Sequence, residues 1–121
     1  MALMRNWRDV MPYVSHNSVV VWILLHPKGA KSDSPEYACL QRMGAFCKQA
    51  LQGRQTSDLH SHENVEQLYY ILKGSGMMLI DGEKCRVAEG DVVYLPPKTS
   101  HQLINEADDW IEYLIIQAPL S

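Results

Sequence analysis

The sequence predicts an all-β fold, a single domain built as a barrel or a double sheet. Three observations carry that prediction. From Gly44 onward, short apolar stretches recur at intervals of about ten residues with turn residues between them, the pattern of an antiparallel sandwich or barrel. Asp81-Gly82 falls between two such stretches, and this dipeptide favours the two-residue type I′ hairpin turn because both residues tolerate positive φ. The apolar run Val19-Val20-Val21-Trp22-Ile23-Leu24-Leu25 is rich in β-branched residues and too short for an ordinary helix.

Taken in order, residues 19–25 read as a strand buried on both faces, which points to a partner subunit covering one of them. Residues 27–35 hold two prolines, Gly29, Ser32, Asp33 and Ser34, and read as a surface loop. Ser34-Pro35-Glu36-Tyr37 fits either a short helix capped by Ser34 or a lead into a strand. Further strands are expected over 45–51, 67–73, 77–80, 84–87, 91–95, 101–104 and 110–117, eight with the first. Eight strands suffice for a closed or double-sheet architecture that hides its edges. Within 67–73, Gln67, Tyr69 and Ile71 share one face and point inward, while Leu68, Tyr70 and Leu72 face the other way. In 110–117 both faces are apolar, and the inward one is left open.

Composition bounds the function. A chain of 121 residues with 46% hydrophobic residues can bury a core without a metal or disulfide staple, so a metal site in it would be there for chemistry. Eleven basic against 14 acidic residues, a formal charge of −3 and no Lys/Arg cluster exclude the cationic footprint of a nucleic-acid binder. The longest apolar run has seven residues where a spanning helix needs about 20, so no membrane partner is expected. The absence of a secretory h-region, with three cysteines and no Cys-x-x-Cys pair, fits free thiols in the cytoplasm.

His60 and His62 are separated by one residue and would project from the same face of an extended strand. His101, at the start of another strand, can bring a third imidazole to the same point. Three imidazoles suit a divalent transition metal and leave coordination positions free for substrate. His16 and His26 lie near loops and read as solvated.

The frame around these histidines is specific. His60-Ser61-His62 is followed by Glu66-Gln67, six residues and Gly74; then Gly90, five residues, Pro96, Lys98, His101 and Asn105 follow in order. The two segments resemble the two motifs of the cupin superfamily. The resemblance implies a cupin-type double-stranded β-helix, or jelly-roll barrel, over residues 44–121, with residues 1–43 adding a strand to the barrel or to a dimer interface. It also implies one divalent metal, Fe, Mn, Ni or Zn with Fe or Mn favoured, held by His60, His62 and His101.

The sequence departs from the family pattern at three places. Arg54 stands where the first motif begins with glycine, with Gly53 one residue earlier, so that turn is expected to shift. Lys98 stands where the second motif has glycine. Gln67 occupies the position of the family's acidic ligand, which would leave a divalent ion with its full +2 and favour a small anionic, bidentate substrate. Glu66 is the alternative ligand or a base, although alternation turns it away from Gln67 unless a bulge intervenes. Tyr69 is a candidate proton donor. The function expected from the resemblance is a dioxygenase-like oxidoreductase acting on a small oxygenated or anionic molecule. A Lewis-acid lyase or isomerase and a non-catalytic sugar- or small-ligand-binding cupin are the alternatives, and a homodimer is the expected assembly.

Overall fold

The computed structural model describes residues 2–32 and 34–120; Asp33, within the expected 27–35 loop, lies outside them. The described residues form ten strands: β1 (Tyr13–Ser15), β2 (Val19–Pro27), β3 (Ala38–Leu40), β4 (Ala45–Leu51), β5 (Val65–Lys73), β6 (Ser75–Ile80), β7 (Glu83–Ala88), β8 (Val92–Leu95), β9 (His101–Ile104) and β10 (Ile111–Pro119). All eight expected strands appear, with ends displaced by up to two residues. The two additional ones, β1 and β3, are three residues each, too short to leave an alternating pattern. Pro35–Tyr37 forms a single 3-10 turn that runs directly into β3, and the Ser34 side chain makes no capping bond to it.

Two sheets form the jelly roll. The larger runs β1-β2-β4-β10-β5-β8, with β3 also pairing β2, and the smaller runs β7-β6-β9. The segment before β5 adds to the smaller sheet through bridges from Thr56 to Ile104 and from His60 to His101. Between the sheets lies the apolar core, where Leu51, Ile71, Met78, Leu103, Ile111 and Tyr113 are almost fully buried. The inward face of β10 is therefore Ile111, Tyr113 and Ile115, the choice that its two apolar faces left open.

Two devices fix β9, one at each end. The β6–β7 hairpin turns at Asp81 (φ 46°) and Gly82 (φ 83°), as the dipeptide predicts. Asp81 Oδ1 then accepts from the Ser100 amide at 2.9 Å, tying the turn to the residue before His101. At the other end of β9, Asn105 is 1% exposed and its amide donates to the carbonyls of Leu51, Gln52 and Asp109.

The outer face of β2 is partly covered by its own chain. Trp7 packs edge-on against Trp22 with ring centroids 5.2 Å apart, and Lys48 Nζ lies 4.3 Å and 4.6 Å from the two ring centres while pairing with Glu112. Some of the apolar surface that pointed to a second subunit is thus sheltered within the protomer.

Candidate metal centre

His60 and His62 lie on the extended segment that leads into β5, and His101 opens β9. Main-chain bonds join the first and last: the His60 amide donates to the His101 carbonyl at 3.1 Å and the His101 amide returns to His60 at 2.9 Å. The Lys98 amide donates to the His62 carbonyl at 2.7 Å and holds the second motif's turn against the first motif. One ligand nitrogen from each histidine lies within 4.8 Å of the others, close enough for one ion to bind all three.

Each outer nitrogen that is anchored leaves an inner nitrogen bare. His101 Nδ1 donates to the Thr99 carbonyl at 3.3 Å, and His60 Nδ1 faces the Asp58 carbonyl at 3.2 Å and its carboxylate at 3.1 Å. A protein acceptor on Nδ1 fixes the tautomer and turns the Nε2 lone pair inward. His101 is 2% exposed, and its Nε2 has no partner. Burial, reinforced by the adjacent His60, pushes the His101 pKa down to about 4, so it is neutral at pH 7. Burial and the same neighbours lower that of His62.

His60 and His62 open onto a cavity of about 190 Å³ walled by Val21, Ile23, Cys47, Tyr69 and Ile115, with Gln67 and Gln117 also in its lining. Gln67 is 6% exposed; its amide nitrogen donates to Gln117 Oε1 at 2.8 Å, and its own Oε1 is buried without a partner. Tyr69 stacks on Tyr113, with centroids 5.2 Å apart and planes 11° from parallel, and burial raises its pKa well above the usual phenol value. It therefore stays protonated at neutral pH and can donate a hydrogen bond.

Glu66 is not brought to this cavity. The pairing of β5 with β10 is unbroken from Val65 to Ile71, so no bulge turns Glu66 inward. Its carboxylate lies on the outer face and accepts from the Tyr94 hydroxyl at 2.9 Å. His26 lies at a different hollow, beside Arg5.

His16 is closer to the site than the sequence reading placed it. It sits on the β1–β2 turn at φ 50°, stacks on His60 with centroids 4.6 Å apart, and bonds Asp58 through Nδ1 at 2.9 Å. Asp58 thus braces two imidazoles at the cavity rim. Neither residue falls within the motifs, and His16 sits on the turn after a strand too short to predict. Gln117 is also missing from the motif reading, because its place depends on how β10 registers with β5.

The donor set fits a divalent transition metal: three imidazoles, two of them anchored from behind, and two buried acceptors that no described residue satisfies. A family model described as "Cupin domain" matches residues 48–117, more than half of the chain.

The chain belongs to the cupin family.

Relatives of this cupin include an uncharacterized protein of Methanocaldococcus jannaschii, 35% identical over 103 residues that span 83% of this chain and 73% of that protein. An oxalate-binding protein of Thermotoga maritima is 30% identical over 71 residues, 59% of either chain. The crystal structure of a predicted oxalate decarboxylase from Thermotoga maritima superposes with a TM-score of 0.80 at 22% identity, covering 98% of this chain and 100% of that one. The polyketide cyclase RemF from Streptomyces resistomycificus matches with a TM-score of 0.78 at 17% identity, covering 100% of this chain and 81% of that one. These two structural likenesses establish the fold.

Two of this cupin's departures from the family motifs also resolve. Arg54 and Lys98 each adopt φ 66°, so both turns keep the left-handed backbone that glycine would supply. The first turn does not shift to Gly53. That glycine answers a different need, since a Cβ there would overlap the Asp108 carbonyl.

Proposed function

We propose that this cupin holds a divalent transition metal through His60, His62, His101 and Gln67 and, through it, binds a small carboxylate dianion of the oxalate type. The observation that carries the reading is the pair of buried, uncharged, unpartnered acceptors, His101 Nε2 and Gln67 Oε1. Three imidazoles and an amide bring no charge, so a divalent ion held by them supplies a Lewis acid with its full +2, which favours anions. The chain's own residues shape the rest. Val21, Ile23 and Ile115 keep the wall apolar, and Tyr69 presents a protonated hydroxyl. The cavity of about 190 Å³ admits a small molecule rather than a polymer. The oxalate-binding relative from Thermotoga maritima supports the choice of anion.

Among the described residues the cavity wall carries no carboxylate, and Asp58 at the rim is committed to His16 and His60. A lyase or isomerase that needs a carboxylate base is therefore less well supported. A second reading is dioxygenase-like oxidation of the bound anion, with the Tyr69 hydroxyl on the wall of the same cavity as a hydrogen-bond donor to it.

Calorimetric titration of oxalate into Mn(II)-loaded and metal-free protein tests the main reading. Oxalate should bind once per metal in the loaded protein and not at all without metal. Equal binding to both forms, or none to the loaded form, would overturn it. Oxygen uptake by Fe(II)-loaded protein in the presence of oxalate and other small dicarboxylates tests the second.

A further inference from the structure

We infer that Gln117 is a positioning residue: its side-chain carbonyl holds the Gln67 amide in the one orientation that leaves Gln67 Oε1 free as a metal donor. The inference rests on the metal reading above and assigns a role to a residue outside both motifs. Gln67 and Gln117 lie directly opposite each other on β5 and β10, and both line the cavity that His60 and His62 also line. A primary amide presents a donor end and an acceptor end on one rigid plane, so fixing one end aims the other. The Gln67 nitrogen is fixed by Gln117 Oε1 at 2.8 Å, and the Gln67 oxygen is left buried with nothing to accept from. Leaving a buried carbonyl unsatisfied costs free energy, and a metal recovers that cost in a way the protein alone does not. Were the amide to turn over, the two oxygens would face each other and the NH2 group would point toward the site, where it could not ligate.

Gly44 makes room for this arrangement. Its amide donates to the Gln117 carbonyl at 2.8 Å, and a Cβ at position 44 would stand 3.2 Å from Gln117 Cγ and 3.3 Å from Nε2. The Gly44 backbone is thus a floor for the Gln117 side chain, and an alanine there would press on the Gln117 amide.

Mn(II) dissociation constants, obtained from the electron paramagnetic resonance signal of free Mn(II), test the assignment. The variants are Gln117→Met, which keeps the volume and loses the carbonyl; Gln117→Glu, which keeps an acceptor; Gln67→Met; and the Gln67→Met/Gln117→Met pair. Gln117→Met should weaken Mn(II) binding by about tenfold or more, the usual loss when a residue that orients a ligand is removed. Gln117→Glu should bind at least as tightly as the parent, and Gly44→Ala should weaken binding less than Gln117→Met. In the Gln67→Met background, Gln117→Met should change affinity by less than about twofold, because the residue through which it acts is gone. Unchanged affinity in Gln117→Met overturns the inference. So does a loss that persists undiminished without Gln67, or a loss in Gln117→Glu equal to that in Gln117→Met. A parent protein that binds no Mn(II) overturns the metal reading itself, a result separable from all of these.

Discussion

Single residues decide whether this barrel works as a site, and most of those residues were visible by type and spacing. His60, His62 and His101 meet because a one-residue spacing on an extended chain puts two side chains on one face. The departure at Arg54 looked like a change of backbone, yet it and Lys98 are changes of side chain alone, both held at φ 66°. A β-carbon in that region costs free energy that glycine avoids, so Lys98→Gly should raise unfolding stability by about 1 kcal/mol, measured in urea on metal-free protein. Unchanged or lowered stability would mean that the turn is not strained. Cys47 shows how a buried group is silenced. It is 8% exposed, and burial pushes its thiol up to about 11, above the unfolded value of 9.0. The folded state therefore favours the protonated thiol; the associated stability is full below pH 9 and is lost as pH rises through 11. Iodoacetamide at pH 8 should leave Cys47 unmodified in native protein and label it in urea, as read by peptide mass spectrometry.

Elements place those residues, and at this scale the sequence was only partly legible. Strict alternation along β5 separates Gln67, Tyr69 and Ile71 from Leu68 and Tyr70 as the period of two requires, and it keeps Glu66 outside. Along β10 both faces are apolar, so nothing local says that Ile111 and Tyr113 face inward. Only the pairing with β4 and β5 decides it, and Gln117 became recognisable with that pairing. The turn that holds His16 belongs to a three-residue strand whose stability comes from β2 rather than from its own pattern. Asn105, by contrast, was flagged by the second motif, and its role is structural. Its amide and carbonyl serve three backbone carbonyls and the Ala107 amide at the end of β9. Asn105→Ala would leave those buried groups unpaired and should cost about 3 kcal/mol in urea unfolding of metal-free protein. A loss under about 1 kcal/mol would show that water replaces the side chain.

At the scale of the whole molecule, two sheets enclose an apolar core and a small cavity whose wall, among the described residues, carries no carboxylate. The protein carries a formal charge of −3, yet the histidine and glutamine donors of the site contribute none of it. A fold of this size needs no ion to cohere, since its core is closed by side chains such as Leu51, Ile71, Met78 and Ile111. The unsatisfied acceptors are concentrated instead where a ligand would sit, and that concentration is the central claim. Metal analysis of protein purified without a histidine tag, after loading with Fe(II), Mn(II), Ni(II) or Zn(II) and removal of excess ion, tests it most directly. The account predicts one ion per chain in the parent and none retained in His62→Ala. A parent chain that retains no ion from any of the four, or a His62→Ala variant that retains as much as the parent, would contradict it.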